Sequence, residues 1–265
     1  MKQFTFTTRG NTCTDFGIMC ITANVFDTPP ESFNEIEVLG AFSPLMLFTE
    51  SQGRFELNIK VVIKAMSDSF TTMSQIKEWL MTDHEDKPIH LSNITDSYWE
   101  GFLAKITDFQ DYNDNLITCT LVFNCKPLRQ LLIGDEAQRG QFHNTQANYI
   151  RAFRKCNPSK PTIVINRPSG LDTLTIKINS GTGEWKSQVI ALHGLLALPA
   201  NKKLIISSEL QECYYIGDNN VVIPCNHLMK GDFPILFNGE FEITGTNINI
   251  SSSVPFEIYP RWRVR

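Results

Sequence analysis

The sequence predicts a mainly β protein: an amino-terminal β-barrel or sandwich-like domain with one α-helix, followed by a β-sandwich. Three observations carry this. Long runs of apolar–polar alternation occupy the first 125 residues, one helical period interrupts them, and short strands divided by turn signals follow from residue 162. A chain of 265 residues has room for two domains of about 130 each.

The clearest strand spans residues 55–65. Phe55, Leu57, Ile59, Val61, Ile63 and Ala65 fall on one face, with Glu56, Asn58, Lys60 and Lys64 on the other. Residues 36–39 and 45–49 are shorter strand candidates upstream. Thr72 with Gln75 suggests a capping box, and Met73, Ile76, Trp79 and Leu80 then recur at helical spacing, which predicts a helix over 72–81. Pro88 and the polar residues before it stop that stripe. One helix among many strands belongs across the open face of the sheet it covers. Residues 101–109 and 116–125 alternate again around the turn-rich Asp111–Asn115 stretch, which reads as a hairpin. Cys119 and Cys125, six apart, share a face of the second strand.

Residues 131–161 change character, with many Gln, Asn and Arg, and read as a connection carrying a short helix over 146–153. Beyond it, strands are expected at 162–166, 173–180, 187–192, 204–208, 212–215, 220–223, 241–244, 246–250 and 256–259. Pro168-Ser169-Gly170, Gly217-Asp218-Asn219 and Asn238-Gly239 mark turns between them. Short strands at this rhythm suggest a sandwich of jelly-roll or lectin-like build. The domains read as 1–132, a connection at 133–160, a sandwich at 161–255 and a terminal strand at 256–265.

Composition narrows the function classes. With 24 Lys and Arg against 28 Asp and Glu, the net charge is −4, unlike a domain that binds DNA through a basic surface. Arg261, Arg263 and Arg265 alternate at the end, and Arg151, Arg154 and Lys155 cluster in the connection; both read as solvated or salt-bridged edges. No apolar run is long enough for a transmembrane helix, and residues 1–6 alternate instead of forming a secretory core, so a cytoplasmic site of synthesis is expected. Seven scattered cysteines, an odd number without Cys-x-x-Cys, read as small buried thiols.

Catalytic constellations are missing from the sequence. There is no Gly-x-Ser-x-Gly, no His-Glu-x-x-His, and neither glycine-rich phosphate or dinucleotide motif. His84, His90, His143, His193 and His227 never stand at metal-ligand spacing. The expectation is therefore no enzyme, no catalytic or metal site and no cofactor. A carbohydrate-binding module that recognises host cell-surface glycans is the competing reading, with Trp185 beside Glu184 as the candidate sugar contact.

Several segments in order resemble the distal tail protein family of long, non-contractile-tailed bacteriophages. They are Asp15-Phe16-Gly17-Ile18, the strand at 55–65, Ile76-Lys77-Glu78-Trp79-Leu80, Pro88-Ile89-His90-Leu91-Ser92, Tyr98-Trp99-Glu100-Gly101-Phe102 and Leu121-Val122-Phe123-Asn124-Cys125-Lys126-Pro127. The second half adds Pro161-Thr162-Ile163-Val164-Ile165, Gly231-Asp232-Phe233-Pro234-Ile235-Leu236 and Ile258-Tyr259-Pro260-Arg261-Trp262-Arg263. The resemblance implies a ring-forming first domain, a galectin-like second domain, and a terminal strand that returns to the first. It implies a homohexameric ring that caps the tail tube and acts as assembly hub of the tail tip or baseplate in host adsorption. The expected partners are the tail tube protein above, a tail-tip, tail-associated lysin or fibre protein below, and receptor-binding proteins. Phage DNA would pass through the channel without specific binding, which suits an acidic chain. The implied location is the virion tail tip, after synthesis in the host cytoplasm. The second half leaves no room for the inserted arm or carbohydrate-binding module of some members.

The stretch from 36 to 49 suits a ring contact. Leu39, Phe42, Leu45, Leu47 and Phe48 are apolar, yet Gly40 and Pro44 interrupt them as breakers that an internal strand would not need. An arm that buries this side on a neighbour, wrapping it as the resemblance implies, accounts for both features, and an ordinary internal hairpin is the competing reading.

Overall fold

The computed structural model describes residues 4–27, 31–36, 45–65, 68–112, 115–143, 147–151, 156–180, 187–199, 202–237, 240–250 and 253–264; for 31–36, 45–52, 151 and 180 it describes the backbone alone. Those residues divide into two compact units, 1–130 and 131–264. The fold is mainly β with one α-helix among the described residues.

The first unit holds strands β1 (Phe6–Thr8), β2 (Asn11–Thr12), β3 (Ile18–Ala23), β4 (Glu31–Ile36), β5 (Leu45–Gln52) and β6 (Phe55–Lys64). Helix α1 (Ser69–Met81) follows, then β7 (Lys87–Leu91), β8 (Ser97–Tyr112) and β9 (Leu116–Cys125). Seven of the strands pair in the order β2-β1-β7-β8-β9-β6-β3. The alternation of β6 is realised in full: Phe55, Leu57, Ile59, Val61 and Ile63 are buried, and β9 supplies Ile117, Cys119, Leu121, Phe123 and Cys125 to the same core. Met73, Ile76, Trp79 and Leu80 of α1 close it from the other side. Trp79 lies between two parallel rings, Phe16 at 4.4 Å and Phe6 at 5.7 Å.

The helix starts three residues earlier than its sequence suggests. Asp68 is the N-cap, its carboxylate accepting from the Thr71 amide at 2.8 Å, while Thr72 is buried inside the first turn. A carboxylate placed before the apolar stripe outcompetes the hydroxyl as cap. β8 runs longer than 101–109 and bends through two register shifts, one beside Asp108 at φ +52°.

The second unit begins within β10 (Arg129–Leu131) and adds β11 (Gln138–Phe142), β12 (Ala147–Arg151), β13 (Thr162–Asn166), β14 (Leu174–Ser180), β15 (Ser187–Leu192) and β16 (Lys203–Ser207). It ends with β17 (Glu212–Ile216), β18 (Val222–Pro224), β19 (Met229–Lys230), β20 (Glu240–Thr246), β21 (Val254–Tyr259) and β22 (Arg263–Val264). Two antiparallel sheets, β11-β21-β13-β16-β17-β18 and β12-β20-β14-β15-β19, form a sandwich. Ile163, Ile165, Leu204, Ile206, Phe256 and Ile258 of one sheet meet Ile176, Ile178, Ile190, Leu192, Phe241 and Ile243 of the other.

Three expectations change here. Residues 133–160 are more than a connection, because β11 pairs with β21 and β12 with β20, one strand in each sheet. Residues 147–151 are strand β12 and not helix; Ile150 is buried while Tyr149 is exposed, a period of two that a five-residue stretch conceals. The two strands expected at 241–250 are one. β20 runs through Gly245, where a Cβ would stand 2.5 Å from the Cβ of Phe142, and stops at Asn247, held at φ +55°. The terminal strand expected over 256–265 is two: residues 256–259 lie in β21, between β11 and β13, and Arg263–Val264 form β22, which pairs with β10.

Candidate functional site: interaction surfaces

Strands β4 and β5 form a two-stranded ribbon that pairs with no other strand among the described residues. Its register sets Phe33 opposite Phe48 and Glu35 opposite Met46 on one face, Asn34 opposite Leu47 and Ile36 opposite Leu45 on the other. Leu45 and Leu47 therefore share a face, and Phe48 sits on the opposite one. Leu39 and Phe42 lie outside the described residues, as does Trp185. Apolar residues on both faces are unusual for a two-stranded ribbon, which is marginal in water without a covering surface. Its charge is one-sided too. No Lys or Arg occurs between Arg9 and Arg54, whereas Asp27, Glu31, Glu35, Glu37 and Glu50 line this stretch.

A second surface, not singled out by the sequence, gathers where α1 begins and the β8–β9 hairpin ends. A groove of about 700 Å³ runs between them, lined by Phe70, Met73, Met81, Ile106 and Phe109, with Asp68, Lys77 and Asp111 at its rim. Phe70 is 83% exposed although it occupies the first turn of a helix whose other apolar residues are buried or, for Met81, half-buried. Tyr112 and Leu116 continue the patch; Leu116 pairs with Lys64 across the outward face of β6, and Met19 of β3 pairs with Val62 in the next row. Neither Lys64 nor Lys77 has an acidic partner among the described residues. The apolar exposure is thus concentrated, with Lys64 and Lys77 as well as Asp68 and Asp111 around it. The sequence signal for it was Phe70, which breaks the helical stripe, but one residue does not reveal a groove.

The described residues contain no group of three or more His, Cys, Asp or Glu arranged to hold a metal ion. His84 packs edge-on to Phe102 and His90 lies 4.8 Å from the Tyr98 ring, so both stand in aromatic contacts. Among the described residues of the second unit the exposed aromatic is Tyr149, opposite Glu242, which in turn faces Asn179 across the outer surface of the sandwich.

No protein-family model and no curated protein matches this sequence. Solved structures do share its fold. The crystal structure of SPP1 Dit (gp 19.1), described as a paradigm of hub adsorption apparatus in Gram-positive-infecting phages, matches at 15% identity with a TM-score of 0.69, covering 99% of both chains. Chains of the phage P2 baseplate in its activated conformation, with Ca and with Sr, match at 11% identity and a TM-score of 0.54. They cover 97% of this chain, and 98% and 97% of their own. The fold of this chain, both units included, is that of these phage hub and baseplate proteins.

Proposed function

We propose that the chain is a structural hub of a phage tail, a distal tail protein that closes into a homohexameric ring at the end of the tail tube. The observation that carries this reading is the shared fold across 99% of both chains with a phage hub protein, since a chance likeness in a common sandwich would cover only one unit. The ordered motifs of the sequence support it independently. In this role the protein needs no catalytic residue; it supplies surfaces to a tube protein above and to tip, lysin, fibre or receptor-binding proteins below. The second, galectin-like unit serves as a docking platform, and the finished ring resides in the virion.

A ring of identical subunits needs a heterologous contact, one patch meeting a different patch on the next copy. The acidic, two-faced ribbon β4–β5 suits one side of that contact. The apolar end of the first unit, with Phe70, Phe109, Tyr112 and Leu116 exposed and Lys64 and Lys77 nearby, suits the other. Light scattering coupled to size exclusion tests the reading directly. The expected particle has a mass of about 180 kDa, six times 30.1 kDa. A monomer that fails to form rings even when mixed with assembled tail tubes would overturn it.

A further inference from the structure

Cys13 and Cys20 belong to different local elements yet meet inside the first unit. Cys13 opens a single 3-10 turn (Cys13–Phe16), Cys20 lies in β3, and Gly17, at φ +68°, reverses the chain between them. Their sulfurs are 3.9 Å apart, and the Phe6 amide donates to the Cys13 Sγ at 3.3 Å. No other two of the seven free cysteines make a sulfur–sulfur hydrogen-bond contact among the described residues. We propose that this pair is a modification site at which hydrogen peroxide converts two buried thiols into an intrachain disulfide.

The surroundings favour Cys13 as the attacking sulfur. The hydrogen-bond contact with Cys20, in which either sulfur can donate, holds the Cys13 thiol below its ordinary value, with help from the Phe6 amide and against burial. Cys20 is raised by the same contact and by burial. Burial pushes Cys119 up to about 11, and Cys125 and Cys213 to about 12, so those thiols remain protonated and inert. Peroxide has only two heavy atoms, and Thr14 and Asp15 in the same short turn are exposed, so a small local opening admits it.

The chemistry balances. Cys13 loses its proton, and its Sγ attacks one peroxide oxygen. The O–O bond breaks, and the departing hydroxide takes up that proton as water, leaving a sulfenic acid on Cys13. The Cys20 sulfur then attacks the sulfenic sulfur; the S–O bond breaks, and hydroxide leaves with the Cys20 proton as a second water. Two thiols are oxidised to one disulfide, and one peroxide is reduced to two waters. The new bond closes a short ring around Gly17, whose carbonyl accepts the Lys64 amide at 3.0 Å. It thereby pins β3 beside β6 and holds Phe16 on Trp79.

The test uses the intact folded chain, exposed to graded hydrogen peroxide, then denatured, alkylated with N-ethylmaleimide and digested with trypsin. Residues 10–54 form one tryptic peptide, and Cys13 and Cys20 are its only cysteines. The expected result is a loss of about 2 Da from that peptide with no maleimide added, at doses that leave Cys119, Cys125 and Cys213 alkylated. Two maleimides on the peptide at those doses, or a sulfinic acid on Cys13 without the mass loss, would overturn the proposal. Cys20→Ala should leave a Cys13 sulfenic acid that dimedone captures. Should that variant misfold, the mass of the wild-type peptide decides alone.

Discussion

Arg9 and Asp83 illustrate what single residues contribute. Arg9 sits in the β1–β2 turn at φ +52°, and its guanidinium donates to both carboxylate oxygens of Asp83, at 2.6 and 3.0 Å, and to the Asp83 carbonyl at 3.1 Å. This fork ties the first hairpin to the segment just after α1, 74 residues away. The Arg9 hydrogen bond holds the Asp83 carboxyl down at about 2. A depressed carboxylate contributes stability that is present above its unfolded value of 3.8 and lost as pH falls through about 2. Asp83→Asn is therefore expected to be less stable than the parent at pH 7, the difference shrinking from about pH 4 and vanishing near pH 2. Urea titrations of both proteins across that range check it; a difference that persists at pH 2 would mean the loss comes from packing. Nothing in the sequence pairs these two residues, because a contact made across a fold has no period. The cysteines were half legible in the same way: alternation put Cys119 and Cys125 on one buried face, but the Cys13–Cys20 contact depends on the turn at Gly17.

Elements were legible in proportion to the regularity of their burial. β6 could be read almost to its ends because five inward positions are all large and apolar. The stripe of α1 was equally plain, while its start was missed since a cap is chosen by competition among neighbouring side chains. β12 was hidden because its partner, β20, lies far along the chain and the strand itself has one fully buried apolar residue. The ribbon β4–β5 is a case of another kind. Its apolar residues were visible in the sequence, and the ring reading gives them a purpose on a surface that a single chain does not complete. Within the ring reading, Leu45→Asp or Phe42→Asp would bury an unpaired charge at the contact and shift the hexamer to smaller species. The double variant Lys64→Glu/Lys77→Glu should weaken assembly as well, by setting like charges against the acidic ribbon, and raised salt should narrow its deficit relative to the parent. Sedimentation of the variants at low and high salt reads both effects. Intact hexamers in the leucine and phenylalanine variants would remove the ribbon from the interface, and an unchanged Lys64/Lys77 variant would remove its proposed counterpart.

At the scale of the whole molecule, the fold class followed from periodicity alone, but the division of labour did not. The two hydrophobic cores share no residue: one is built on β6, β9 and α1, the other on the facing sheets of the sandwich. Each has its own large buried side chains and its own turn and cap chemistry, so each meets the requirement for a cooperative unit. An independent melting transition for each unit is the consequence. Ile76 is wholly buried in the first core and Ile176 in the second, and truncating either to alanine should cost about 2–5 kcal/mol by lost transfer energy and cavity formation. Ile76→Ala is expected to lower one calorimetric transition by several degrees and leave the other in place, with Ile176→Ala doing the converse. A single transition moved equally by both substitutions would show that the cores are energetically one. Two independent transitions would bear on the proposed function, because a hub whose first unit closes a ring while its second presents a docking platform gains from cores that do not fail together. Under the proposed ring, a partner that loads the second unit then need not loosen the contacts between subunits.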